Sequence, residues 1–183
     1  MMSVKMTPGQ TAEIAGPKKA FVIPKPEVVA SMIKRAKRPL LVVGSKSDKI
    51  RTKDGDLIDS AIRMSKGGKV TVVATGHLVG EFRKRGKENT YSSQLMNLGD
   101  RLRDPDWEGF DGEGTYDLVV FAGSIYYMEW LIQSGLKNFA QGLSTISLAQ
   151  SYQPNASWSL GTMPSEQWKE VIDKIVTMVE EGA

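Results

Sequence analysis

The sequence predicts one doubly wound α/β domain: a single parallel sheet with helices on both faces. Two runs, Leu40-Leu41-Val42-Val43 and Leu118-Val119-Val120-Phe121-Ala122, are apolar at every position, as suits strands covered on both faces. Apolar residues at three-to-four spacing mark helices between such runs, and strands alternating with helices imply right-handed crossovers and a parallel sheet. Three strand runs lead into glycine, at Gly44, Gly76 and Gly123, where a strand must turn sharply toward a helix. The 183 residues, 40% hydrophobic and 25% charged, suffice for one core, because folding at this size buries roughly 70% of the extended chain's surface.

Residues 1–24 have no sustained period and carry Pro8, Gly9, Gly16, Pro17 and Pro24. They read as an extension or arm, which leaves 25–183 as the domain. Pro26 and Glu27 open a helix, where a proline loses no hydrogen bond and an acid meets the positive end of the dipole. Val28, Val29, Met32, Ile33 and Ala36 form its apolar face, and Lys37 and Arg38 sit at its negative end. Pro39 breaks the helix, and the strand 40–43 follows. A helix with Leu57, Ile58, Ala61, Ile62 and Met64 ends at Gly67-Gly68. The strand 70–74 leads into a mixed stretch, 77–103, which should hold one helix around 92–102. After the strand 118–122 come a helix over about 125–136, a weaker strand over 144–148 and a last helix over about 165–179. The two wholly apolar strands should be neighbours at the centre of the sheet, at its switch point.

Composition excludes much chemistry. There is no cysteine and one histidine, His77. Disulfides, Cys-ligated zinc and cysteinyl iron–sulfur clusters are therefore excluded for the chain acting alone, and so is a three-histidine zinc site. No stretch near the start has signal-peptide character, and 118–128, the most apolar segment, falls short of the roughly 20 residues that span a bilayer. A cytoplasmic protein away from the membrane is expected. The formal charge is +3. Lys34, Arg35, Lys37 and Arg38 cluster, as do Arg83, Lys84, Arg85 and Lys87. No aromatic-interleaved or zinc-finger motif accompanies them, so they read as a solvated helix end and a solvated loop, with no nucleic-acid partner.

In open α/β sheets, ligands sit beyond the carboxyl ends of the strands near the switch point. Gly44, Ser45, Gly76, Gly123 and Ser124 all follow strand ends, and they are the candidate lining of one crevice. A nucleotide-like group such as the adenine-dinucleotide part of FAD would meet backbone N–H groups there. The alternative is that the glycines only make tight turns. No G-x-G-x-x-G or G-x-x-x-x-G-K-[ST] is present, which argues against a standard dinucleotide enzyme or P-loop NTPase. In Asp104-Pro105-Asp106-Trp107-Glu108-Gly109-Phe110-Asp111-Gly112-Glu113-Gly114 the spaced acids suggest a calcium loop, but Thr115 stands at the twelfth position where Glu is needed. The segment reads as a structured loop anchored by Trp107 and Phe110. Residues 138–165 carry no charge, as a partner surface or a buried strand would.

The segments Lys37-Arg38-Pro39-Leu40-Leu41-Val42-Val43-Gly44, Val73-Ala74-Thr75-Gly76, Asp104 through the loop to Asp117, and Asn155-Ala156-Ser157-Trp158-Ser159-Leu160-Gly161 carry a resemblance. In this order they are similar to the epsilon subunit family of the archaeal acetyl-CoA decarbonylase/synthase complex, the small subunit of its carbon monoxide dehydrogenase component. The resemblance implies a domain like the cofactor-binding middle domain of pyruvate-oxidase-type enzymes. It also implies association with the large nickel–iron–sulfur subunit, two large chains with two small, in which the large chain oxidises CO. The small chain is then a non-catalytic accessory that stabilises its partner or assists flavin-linked electron transfer. The charged stretch 45–56 and the basic stretch 80–89 depart from the family pattern. A nucleotide- or flavin-binding protein acting alone is the alternative reading. With no thiolate and one imidazole available, elemental analysis of the purified chain should find no stoichiometric nickel or iron. About one metal per chain would contradict the accessory role.

Overall fold

The computed structural model describes residues 19–182. In chain order these form β1 (Phe21–Val22), α1 (Pro26–Arg35), β2 (Pro39–Val43), β3 (Arg51–Thr52), β4 (Gly55–Asp56), α2 (Leu57–Met64), β5 (Thr71–Ala74), α3 (Leu78–Lys84), β6 (Thr90–Ser92), α4 (Leu95–Arg103), β7 (Leu118–Ala122), α5 (Tyr126–Phe139), β8 (Ser144–Ser147), β9 (Trp158–Ser159) and α6 (Ser165–Glu181). The main sheet has seven strands in the order β1-β9-β8-β7-β2-β5-β6, and every pair in it is parallel. β3 and β4 form a separate antiparallel hairpin. The predicted doubly wound class is the observed one. β2 and β7 pair at the centre, from Pro39 opposite Leu118 to Val43 opposite Ala122.

Handedness decides which face each helix covers. From β2 the chain moves outward to β5 and β6, then returns past β2 to β7 and β8. A right-handed crossover puts helices of the outward leg on one face and those of the return leg on the other. Accordingly α1, α2, α3 and α6 pack on the face presented by Leu41, Val43, Val72, Leu118 and Val120. Among the described residues, α4 and α5, with Trp107, Phe110 and Tyr116, cover the face presented by Leu40, Val42, Val119 and Phe121. α6 lies across α1 and α2, and Arg63 Nε donates to Glu180 Oε2 at 2.8 Å between α2 and α6.

The structure differs from the sequence reading in three places. Within 77–103 it has a strand and two helices, α3, β6 and α4, where one helix was expected. α3 is seven residues long and buries only Leu78 and Phe82, and β6 is three residues long, so neither leaves a sustained period. The boundary at 24 also moves. Residues 1–18 lie outside the described residues, but Phe21 and Val22 pair with Trp158 and Ser159 at the sheet edge, and Ala20 and Ile23 are buried. Finally, the basic clusters are not simply solvated. Arg38 and Arg85 make part-buried ion pairs inside the fold, and Lys87 donates to the Ser65 carbonyl.

The 104–117 loop is a clamp on the start of the central pair. Asp117 accepts from the backbone N–H groups of Lys37 and Arg38, both at 2.8 Å. The Arg38 guanidinium lies over the Tyr116 ring at 5.2 Å and donates to Asp111 Oδ1 at 2.5 Å and Glu113 Oε2 at 3.2 Å. Asp111 and Glu113 are thus turned toward a guanidinium, and Asp104 accepts from the Asp106 N–H within the loop. Phe110 stacks on Tyr91 at 5.0 Å and meets Trp107 edge-on at 5.1 Å. Gly109 holds φ at 77°, and a Cβ there would stand 2.7 Å from the Gly114 carbonyl oxygen. Gly109→Ala should therefore cost about 2 kcal/mol or more, read as a lowered denaturation midpoint. An unchanged midpoint would show that the loop yields freely.

Candidate functional site

The carboxyl ends of β2, β5 and β7 adjoin, as the switch-point reading requires, and the glycines there do different work. Gly44 donates its N–H to the Ala122 carbonyl at 2.8 Å, and Lys46 donates to the Gly123 carbonyl at 3.0 Å. A Cβ on Gly44 would stand 2.4 Å from Ser124 Cα, and one on Gly123 would stand 1.9 Å from Ser47 Oγ. Gly44, Gly123 and Ser124 are therefore brought into mutual backbone contact, with Ser45 half-buried beside them. Gly76 is exposed, with φ at 63° and no heavy atom within 4 Å of where its Cβ would lie. His77 follows it, 67% exposed at its side chain, with Nε2 3.8 Å from Asp48 Oδ2.

These residues do not fit a dinucleotide's pyrophosphate across Gly44 and Gly123. The turn 44–50 folds over the end of β7, and Ser47 is fully buried in it. The phosphate-seeking helix start after β2 is also filled by the chain itself. Asp56 Oδ1 accepts from the N–H groups of Ile58 at 2.9 Å and Asp59 at 3.1 Å, which completes a capping box with Asp59. Arg85 closes over this cap with bonds of 2.7 and 3.0 Å to the Asp56 carboxylate. Burial alone would raise the Asp56 carboxyl, but Arg85 and the backbone N–H groups outweigh it and hold it below the usual value. Ser47 Oγ, Asp48 Oδ1 and Ser124 Oγ are buried without a hydrogen-bond partner in the chain. Their needs are those of a water-sized guest, and the Asp48 carboxylate would repel a phosphate.

A second polar cluster lies under α5 and was not read from the sequence. Glu129 is 1% exposed; its Oε1 accepts from Gln133 Nε2 at 2.9 Å and from the Ser147 hydroxyl at 2.5 Å. Burial pushes its carboxyl up to about 7, against those two hydrogen bonds. The uncharged 138–165 stretch surrounds it. Gln153 Nε2 donates to the Tyr126 carbonyl at 2.9 Å, Asn155 Nδ2 to the Trp130 carbonyl at 3.2 Å, and the Tyr126 hydroxyl to the Tyr152 carbonyl at 3.0 Å. Tyr152 and the residues from Gln153 to Ala156 are buried. Interior placement thus accounts for much of a stretch whose lack of charge also suited a partner surface.

Four large apolar side chains are exposed on the outer face of α4 and α5, beside the charged Asp100, Arg101 and Arg103 of α4. Tyr127 and Phe139 are each 67% exposed, Leu131 50% and Met96 43%. Tyr127, Leu131, Gly135 and Phe139 recur every four residues along α5, one stripe of that helix. A groove between the helices runs past Gly99, Ile132 and Gly135. The spacing was the available signal, masked because Ile132 and Leu136 on the buried side of α5 are apolar too. Among the described residues, no group of three or more His, Cys, Asp and Glu could hold a metal ion, and no helix is long and apolar enough to cross a membrane.

Fold and strand ends together define a doubly wound parallel α/β domain with its switch point closed by its own chain. The family described as CO dehydrogenase beta subunit/acetyl-CoA synthase epsilon subunit matches residues 3–176, and the chain belongs to it. The epsilon subunit of the acetyl-CoA decarbonylase/synthase complex of Methanothermobacter thermautotrophicus is 32% identical over 96% of this chain and 97% of its own. That of Methanothrix soehngenii is 35% identical over 94% and 91%, and epsilon subunit 1 of Archaeoglobus fulgidus is 35% identical over 82% and 83%.

The glycine geometry orders three substitutions. Gly76→Ala should cost about 1 kcal/mol, the left-handed backbone penalty alone. Gly123→Ala must also displace Ser47, and Gly44→Ala must separate two backbones, so each should cost about 3 kcal/mol or more. Equal denaturation midpoints for all three variants would contradict the closed switch point.

Proposed function

We propose that this chain is an accessory, non-catalytic subunit of the carbon monoxide dehydrogenase component of an acetyl-CoA decarbonylase/synthase complex, working in the cytoplasm. In this reading it seats on the large nickel–iron–sulfur subunit through the α4–α5 face and stabilises it, two small chains with two large. The observation that carries the reading is the exposed stripe of Tyr127, Leu131 and Phe139 beside Met96. Aromatics and methionine are enriched at interfaces, and apolar surface removed from water contributes roughly 25 cal/mol per Å². Relatives named as subunits of a complex supply a partner for such a face. The absence of cysteine in the sequence leaves the clusters to that partner.

Flavin-linked electron transfer, the finer role that the family resemblance implies, would need a cofactor seat. The contact of Gly44 with Ser124 and the self-capped start of α2 lend that role no support at the switch point, so stabilisation is the favoured role. Calorimetric titration of the chain with FAD separates the readings, and binding at tens of micromolar would restore the flavin alternative.

Leu131→Asp should weaken association with the purified large subunit at least about tenfold, roughly 1.4 kcal/mol, while leaving the far-UV spectrum unchanged. Phe21→Asp, on the edge strand β1 and outside the α4–α5 stripe, should leave affinity intact. If Leu131→Asp binds as tightly as the parent chain, the α4–α5 face is not the contact.

A further inference from the structure

We propose that Glu129 is a protonation-dependent latch on the first turns of α5, so that docking through the α4–α5 face is tight while its carboxyl is neutral and loosens as it ionises. The inference rests on the docking reading above and adds its regulation.

The geometry begins with an imbalance of donors and acceptors. The amide oxygens Gln133 Oε1 and Gln153 Oε1 are buried without a donor, and both side chains hold the first turns of α5, through Glu129 and the Tyr126 carbonyl. An ionised carboxyl would add only acceptors to this acceptor-rich cluster, whereas a neutral one brings the O–H donor it lacks. The groups facing Glu129 are Tyr126 and Gln133 from its own helix and Ser147 from β8. The uncharged segment behind them supplies Tyr152, Gln153 and Asn155. Of these only the tyrosines titrate, and burial, followed by the neighbouring Glu129, raises Tyr126 above its ordinary value. Burial and the hydrogen bonds from Ser147 and Gln133 are the influences acting on Glu129; no Lys, Arg or His is among them. An uncompensated charge in such a place is strongly unfavourable.

Release of that charge toward solvent would have to move the helix start. Glu129 lies between Tyr127 and Leu131 in the chain, and its bond to Ser147 ties α5 to β8. Turning Glu129 outward rotates Tyr127 and Leu131 out of line with Phe139, three turns further on, and breaks the docking stripe. The sign follows from the shift. Between the ordinary value of 4.5 and about 7 the folded chain holds a proton that the unfolded chain has lost. The latch therefore acts fully below that window and is lost as pH rises through about 7.

The test uses the full chain and the purified large subunit, with affinity measured near pH 6 and near pH 8.5. Hydrogen exchange of α5 in the free chain is followed at the same two values. Affinity of the parent chain should fall at least about tenfold between them, and the α5 amides from Glu129 onward, whose hydrogen bonds begin at the Ile125 carbonyl, should lose protection. Glu129→Gln, neutral at both values, should keep both affinity and protection. A Glu129→Gln chain that loses affinity with pH as the parent does, or parent α5 amides equally protected at both values, overturns the latch. The exchange measurement needs no variant, so a poorly folding Glu129→Gln still leaves a decisive result. Failure of the docking reading would look different: Leu131→Asp would bind normally at both values, whatever α5 does.

Discussion

Everything in this molecule hangs on the parallel pairing of β2 with β7, two strands almost eighty residues apart that are clamped at both ends. At their start, Asp117 receives the N–H groups of Lys37 and Arg38, and Arg38 reaches on to the acids of the 104–117 loop. At their finish, Gly44 approaches Gly123–Ser124 so closely that it has no room for a methyl group, and Ser47 leaves none at Gly123. Between the clamps, five residues of each strand are buried on both sides. Closing so long a loop costs entropy that only dense local contact can offset. The clamps concentrate that contact where the chain reverses its direction of travel across the sheet.

The same reversal sets the asymmetry of the two faces. Right-handed crossovers send α1, α2 and α3 to one side, where α6 adds a further cover, and leave α4 and α5 on the other. The thinner side is completed by the aromatic loop at one end and remains open along the α5 stripe. An apolar stripe on a helix that none of the described residues covers is a natural place for a second subunit to complete the layer. The proposed partner surface is in this sense a consequence of topology as much as of composition.

Doubly wound sheets offer a ligand crevice at the switch point by default, and this chain spends that position on its own stability. Ser47 occupies the space over Gly123, and the helix start that would attract a phosphate attracts Asp56 and Arg85 instead. The charged stretch 45–56 has its physical meaning here: it forms the turn, the hairpin and the cap that close the site. The titratable group with the most unusual environment is Glu129, under a helix and among uncharged neighbours.

Much of the fold was legible in the residues. Wholly apolar runs at 40–43 and 118–122 could only be central strands, Pro26 and Gly67-Gly68 punctuated helices, and the Asp104–Asp117 motif carried the family resemblance. These are local signals, written in periods of two and 3.6 or in backbone permissiveness. The short strands β1, β6 and β9 and the two-turn α3 were not legible, because each is too brief to show a period and is held by its contacts with other elements. The candidate crevice was half legible: glycines after strands named the right location, but whether a glycine admits a ligand or another stretch of backbone depends on what arrives from elsewhere. Only the tertiary structure decided that Ser124 comes against Gly44, that Arg85 comes to Asp56, and that Glu129 is buried against Ser147 and Gln133. Each is a contact between separate segments, and the identity of a residue does not determine which segment will lie against it.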